Sequence, residues 1–168
     1  MIRNGKPVAI SYKTHDAQKY QSEFSKYVKE EVKKQGYSLV PNETQHFYVD
    51  CDFYFARSDK DANNYFKCML DAITDSKAIW LDDNVVCERV QKVLYDKENP
   101  RVEIHIYPVD YIGVFECEEQ LMRFENRCLD CSRYKRNCGL LKQAKLGYVQ
   151  SDIQDCVCSK FKQNKENL

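Results

Sequence analysis

Residues 59–84, DKDANNYFKCMLDAITDSKAIWLDDN, decide the reading of the chain. Within them Phe66, Met69, Leu70 and Ile73 stand at i, i+3, i+4 and i+7, the spacing of one buried helix face. Asn63, Lys67 and Asp71 recur one helical turn apart and form a polar stripe on another face. Acidic or amide clusters flank this helix, Asp59/Asp61/Asn63 before it and Asp82/Asp83 after it. A fold that joins the clusters beside the stripe gathers hard oxygen donors and one ammonium in a pocket. That donor set suits Mg²⁺-assisted chemistry on phosphate. Ala78, Ile79, Trp80 and Leu81 run apolar into the second cluster, so Trp80 is expected to lock the backbone while Asp82 and Asp83 project to different sides.

Upstream, HFYVDCDFYFAR alternates, with Phe47, Val49, Cys51, Phe53 and Phe55 on one face and Tyr48, Asp50, Asp52 and Tyr54 on the other, which predicts a half-buried strand. Asp50 and Asp52 are a rival carboxylate pair on its polar face. Before it, residues 16–35 place Tyr20, Phe24, Tyr27, Val28 and Val32 at helical spacing, with Gly36 as the stop. The lysines and glutamates on this helix read as a solvated surface. GKPVAISYK, near the start, reads as a short strand or lead-in. Downstream, VVCERVQKVLYD and RVEIHIYPV, joined by a turn at Asn99-Pro100, predict a hairpin, with Val86, Val90 and Leu94 half-buried and Val102, Ile104 and Ile106 inward. His105 falls on the outward face. The character of the chain changes at residues 108–113, after which residues 115–128 form an amphipathic helix by Cys117, Leu121, Phe124 and Cys128. The expected division is therefore 1–110 and 111–168, with a frayed tail QNKENL.

Across 168 residues, Lys plus Arg equals Asp plus Glu at 26 each, so no global charge marks a nucleic-acid partner and any such contact needs a local patch. No apolar run reaches the roughly 20 residues of a bilayer span, and MIRNGKPVAI lacks a signal-peptide pattern. A cytoplasmic protein with no membrane association is expected. Nine cysteines are many for that compartment and odd in number, which favours metal-held thiolates over a disulfide framework. Cys128 and Cys131 form a CxxC pair, followed by Cys138, Cys156 and Cys158. The expected structural Zn²⁺ ligands are Cys128, Cys131, Cys138 and Cys158, with Cys156 spare although able to exchange roles with Cys158. Zinc there would substitute for a core too small to form alone.

The central residues resemble those of the RusA-like Holliday junction resolvases, small Mg²⁺-dependent endonucleases of bacteria and their prophages. In that family an aspartate-rich motif is followed by lysine, then LDAL and a WxDD element. The resemblance runs through Asp61, Asn64, Lys67, Leu70-Asp71-Ala72 and Trp80-Leu81-Asp82-Asp83, and covers residues 40–108. It implies an α+β fold with a mixed β-sheet flanked by helices, to which the C-terminal helical zinc-binding region is an appendage. It also implies a homodimer that cuts opposing strands of branched DNA, the four-way junction. On this resemblance Asp61 and Asp83 bind Mg²⁺ with Asp82 beside them, and Lys67 is the essential cation. Counting back from Lys67, the family's second aspartate falls on Asn63; counting from the front, Asp59 and Asp61 form the pair.

The leading expectation is a structure-selective endodeoxyribonuclease of recombination and repair. In it Asp61, Asn63 and Asp83 hold Mg²⁺ and Lys67 offsets the charge that develops in the transition state. Arg57, Lys60 and Lys67 are the nearest candidates for DNA contact. Lys92, Lys97, Arg101, Arg133, Lys135 and Arg136 are further candidates. Two alternatives are a non-catalytic junction binder whose site has degenerated at Asn63, and a zinc-dependent interaction module whose acidic residues are only caps and turns.

Overall fold

The computed structural model describes residues 2–3, 6–7, 13–38, 40–42 and 44–164. Most of the expected N-terminal lead-in and the last four residues of the expected frayed tail lie outside the described residues. The chain folds as two compact units, Met1–Pro41 with Asp61–Asp83, and Asn42–Lys60 with Asn84–Leu168.

The first unit opens with a short antiparallel ribbon, β1 (Ile2–Arg3) and β2 (Lys6–Pro7). Helix α1 (His15–Lys34) follows, and its start is set by Thr14, whose hydroxyl accepts the Ala17 N–H at 3.2 Å. Asp16 in the first turn and Lys33 and Lys34 in the last complement the helix dipole. Gly36 then takes φ +65°, the left-handed conformation in which the missing Cβ matters. The buried positions of α1 are Gln21, Ser25 and Val28, whereas Tyr20 and Tyr27 are exposed. Of the positions at helical spacing, Val28 is therefore buried, Phe24 and Val32 are half-buried, and the two tyrosines lie outside. Tyr20, Phe24 and Tyr27 stack along the helix at 5.5 and 6.0 Å. Helix α2 (Asn63–Ser76) buries Phe66, Met69, Leu70 and Ile73 together with Ala72 and Ser76, so the predicted apolar face is the observed one. It stops where Lys77 enters the left-handed region at φ 53°.

The second unit is built on a three-stranded sheet of order β4-β3-β5, from β3 (Phe47–Phe55), β4 (Val86–Tyr95) and β5 (Arg101–Pro108). Strand β3 is central, with Phe47, Val49, Cys51, Phe53 and Phe55 buried, as the alternation predicts. It pairs parallel with β4 and antiparallel with β5, making the sheet mixed. The predicted β4–β5 hairpin is therefore wrong. The two strands lie on opposite sides of β3, and the turn between them spans roughly two strand spacings, about 9–10 Å. The Asp96 carboxylate holds that wider turn by accepting the N–H groups of Glu98 and Asn99 and an Arg101 N–H, while the Asp96 N–H bonds the Phe55 carbonyl at 2.9 Å. Parallel pairing with β3 also demands a crossover connection, which sequence periodicity does not reveal. As the outer strand, β4 leaves Val90 and Leu94 exposed where half-burial was expected.

Beyond the sheet, α3 (Glu118–Leu129) begins three residues later than predicted, α4 (Leu140–Lys145) follows, and β6 (Ile153–Gln154) pairs with β7 (Val157–Cys158). Phe115, Leu121, Phe124 and Ala144 form the buried centre of this region. Gly113 is required beside it: at φ +59°, a Cβ there would lie 2.0 Å from the Ala144 carbonyl oxygen. Gln163 and Asn164, assigned above to a frayed tail, are instead bonded back. Gln163 bridges Cys131, and the Asn164 N–H reaches the Asp130 carbonyl at 2.8 Å.

Candidate active site

All five central residues, Asp61, Asn63, Lys67, Asp82 and Asp83, belong to the first unit and are exposed, within reach of a solvent-borne substrate. Asp61 fixes the entry to α2. Its Oδ1 accepts the Asn63 N–H at 3.0 Å and its carbonyl accepts the Asn64 N–H at 3.2 Å, satisfying two of the donors a helix start leaves open. Ala62, at the cap position, has no side chain for that task. A carboxylate at this end also meets the positive pole of the helix, and it retains a second oxygen for other work.

Along α2 the polar stripe is real, since Asn63 and Lys67 are exposed and Asp71 is half-buried. Asp71 accepts from Lys13 Nζ at 2.8 Å and from Gln21 Nε2 at 3.1 Å, and Lys13 also reaches Gln21 at 3.0 Å. The Lys13 hydrogen bond, opposed by partial burial and aided by the charges of Lys13 and Lys67, holds the Asp71 carboxyl below its ordinary range. Two ammonium groups therefore act on the Asp71 carboxylate, and the Asp75 carboxylate, one turn further along α2, acts on Lys13 as well. Nothing in the sequence marks Lys13 and Gln21 as partners of Asp71, because contacts across 58 and 50 positions leave no periodic signal.

Past α2, the Lys77 ammonium bonds the Leu81 carbonyl at 2.5 Å, and the Trp80 indole N–H donates to Thr74 Oγ1 at 2.8 Å. Trp80 is fully buried, and it anchors the backbone immediately before Asp82 and Asp83. Among the described residues, no three or more His, Cys, Asp or Glu side chains form a group able to hold a metal ion, so Asp61, Asp82 and Asp83 do not make a three-carboxylate cage as placed.

The rival carboxylates on β3 are otherwise engaged. Asp50 takes a two-pronged contact from Arg89, at 2.6 and 3.0 Å, and a 2.8 Å bond from the Tyr107 hydroxyl; Asp52 pairs with Lys92 at 2.8 Å. Arg89 lies 3.8 Å over the Tyr48 ring, and Arg101 lies 3.6 Å over Tyr54 while pairing with Asp96 and Glu103. Lys92 and Arg101, proposed DNA contacts, thus already have partners on the sheet, as does Arg57, paired with Asp59 at 2.9 Å. Lys60 and Lys67 are exposed, as is His105.

In the C-terminal region all the cysteines are free; Cys128, Cys131, Cys138 and Cys158 line one cavity of about 20 Å³, but as placed they do not make the expected group able to hold a zinc ion. Cys156 does not; its thiol bonds Gln120 Oε1 at 3.3 Å. Burial, reinforced by the neighbouring sulfurs, pushes Cys128 up to about 11. Burial also acts to raise Cys131, but backbone N–H groups of Lys162, Arg133 and Tyr134 outweigh it and hold that thiol below its ordinary value. On β3, burial and the flanking Asp50 and Asp52 push Cys51 up to about 12, the mark of an inert thiol.

Among the described residues, no helix is long and apolar enough to cross a membrane. No curated protein matches the chain, and no solved structure matches it. The endodeoxyribonuclease RusA family does match, over residues 2–107, a span that takes in α1, the three sheet strands apart from the last residue of β5, and all five central residues. The chain belongs to the RusA family of endodeoxyribonucleases, which resolve Holliday junctions.

Proposed function

We propose that the protein is a Mg²⁺-dependent, structure-selective endodeoxyribonuclease that resolves Holliday junctions or related branched DNA in recombination and repair, acting as a homodimer in the cytoplasm and of phage or prophage origin. Its nuclease part is residues 1–110. The observation that carries this reading is the family match over residues 2–107, which encloses the acidic clusters and the α2 stripe.

The donors present suit the ion: Asp61, Asn63, Asp82 and Asp83 offer carboxylate or amide oxygens, all exposed, and no soft ligand competes among them. Asp61, Asn63 and Asp83, with Asp82 beside them, would hold Mg²⁺, which when bound polarises the scissile phosphate and lowers the pKa of attacking water. The protein's own contribution is positional and electrostatic. Asp61 is fixed by the start of α2, and Trp80 fixes the approach to Asp83. Lys67, one turn beyond Asn63, offsets the negative charge that builds on the phosphoryl oxygens. Lys13 keeps Asp71 occupied, so that this carboxylate does not neutralise Lys67 outright. Arg57 and Lys60 supply additional phosphate contacts. Zinc has no part in cleavage; its proposed place is structural, on the C-terminal thiols of residues 111–168.

A second reading, a junction binder without turnover, is favoured by Asn63, which brings an oxygen but no charge, and by the lack of a three-carboxylate group among the described residues. Single changes Asp61→Asn and Asp83→Asn separate the two. The nuclease loses cutting at least about 100-fold while retarding the junction as before, whereas a binder cuts nothing in any form.

A further inference from the structure

The C-terminal region has little with which to hold itself together. Its longest helix has 12 residues, α4 has 6, and its strands have 2 each. Regions this small are commonly stapled by a disulfide or a metal. No disulfide is present, yet Cys128 at the end of α3, Cys131 two residues beyond it, Cys138 just before α4 and Cys158 on β7 all line the same cavity. Four thiols from three separate stretches of chain are an improbable result of packing alone.

The cavity has a size that limits its occupant. About 20 Å³ admits one water-sized or ion-sized sphere. Backbone geometry around it is also organised. The Lys162 N–H points to Cys131 Sγ at 3.5 Å, the Cys131 N–H bonds the Cys128 carbonyl at 3.0 Å and the Tyr134 N–H bonds the Cys131 carbonyl at 3.0 Å. The knuckle that carries the CxxC pair is thus tied at both ends. Tyr134 and Cys138 are joined by a backbone bridge, and Cys131 by another to Gln163, so the polypeptide fixes where three of the thiols emerge. Arg127 and Lys160 also line the cavity. A dication on four thiolates carries a net charge of −2, which Arg127 offsets in part, Lys160 being already paired with Asp152.

We propose that Cys128, Cys131, Cys138 and Cys158 form a closed tetrathiolate site for a single thiophilic divalent ion, Zn²⁺ in the cell, and that Cys156 is excluded from it. As placed, the sulfurs surround the cavity without forming a group already closed on an ion, so metal entry removes the thiol protons and draws the sulfurs inward. Four protein ligands leave no open position for water, making the site structural. Cys156 does not line the cavity, and its thiol is bonded to Gln120 instead. The inference is independent of the nuclease reading, and it holds whether or not the chain cuts DNA.

The test uses the full chain, purified under reducing conditions, with metal content measured by elemental analysis and Co²⁺ as the spectroscopic probe. One zinc per chain is expected. Co²⁺ exchange should give the intense visible bands of a tetrahedral thiolate site, and a strong chelator should lower the melting temperature. Cys131→Ser and Cys158→Ser should each abolish the Co²⁺ bands, whereas Cys156→Ser should leave them unchanged. Absence of stoichiometric metal in a folded chain that also fails to take up Co²⁺ overturns the proposal, as does loss of the bands in Cys156→Ser with retention in Cys158→Ser. If the serine variants do not fold, the wild-type Co²⁺ titration decides: bands saturating at one equivalent support the site, and their absence refutes it.

Discussion

Thr74→Val isolates what the buried indole contributes to the acidic turn. Valine matches threonine in shape and changes one thing, the hydroxyl that accepts the Trp80 N–H at 2.8 Å. Trp80 is fully buried, so water cannot replace that acceptor in the native state, whereas in the unfolded chain it can. Removing one partner of a buried hydrogen bond costs about 1–3 kcal/mol, more than the roughly 1 kcal/mol net worth of an average bond. For a chain of this length about 2 kcal/mol corresponds to a melting temperature lowered by about 4–8 °C. The chain contains a single tryptophan, so urea unfolding followed by its fluorescence reports on this site directly. The expected result is a lower midpoint with an unchanged slope. Thr74→Ser, which keeps the hydroxyl, should retain most of the stability. If the valine variant lies within about 0.5 kcal/mol of wild type while the serine variant is weaker, methyl packing and not the indole bond holds this turn, and the anchoring role given to Trp80 fails.

The Asp71 contacts make acid sensitivity predictable. Its folded-state pKa is depressed, chiefly by the Lys13 hydrogen bond, so the stabilisation is complete above the ordinary value of 3.8 and is lost as pH falls through the lower folded value. Asp71→Asn should therefore be less stable than wild type at neutral pH, with the difference narrowing below pH 3.8; a constant difference across a pH series of unfolding curves contradicts the assignment. Gly113→Ala should cost at least about 2 kcal/mol, because left-handed strain of roughly 1–2 kcal/mol is joined by a clash with a backbone carbonyl. Gly36→Ala is the control: its φ is +65° but nothing lies within 4 Å of the added Cβ, so only the strain is expected. Equal losses in denaturant titrations of the two variants contradict the close approach.

The parts of this fold legible from sequence were those with a local period. Alternation through residues 47–55 gave the central strand, and the i, i+3, i+4, i+7 pattern gave the buried face of α2. What failed was pairing. Nothing in VVCERVQKVLYD and RVEIHIYPV distinguishes neighbours across a hairpin from strands placed on either side of a third, since both patterns bury one face and both tolerate a short loop. The wider turn depends on Asp96, a single polar side chain among several in that loop. On α1, the inward face holds Gln21 and Ser25 and not the two tyrosines, because a buried amide bonded to Asp71 and Lys13 is a tertiary fact that hydrophobic periodicity ranks low. At the candidate site, the spacing of Asn63, Lys67 and Asp71 was readable as a stripe, whereas the Lys13–Asp71 pair and the Asp61 cap emerge only once the helices are in place. CxxC spacing singled out Cys128 and Cys131; that Cys158 lines their cavity and Cys156 does not emerges only once the region is folded.

The most direct test is incubation of the purified full chain with an end-labelled synthetic four-way junction, in Mg²⁺ and in EDTA, for wild type and Lys67→Ala. The account predicts paired nicks on opposing strands with wild type in Mg²⁺ only, and no cutting by Lys67→Ala although that variant still retards the junction. Retardation by wild type without nicking in Mg²⁺, or undiminished cutting by Lys67→Ala, contradicts it.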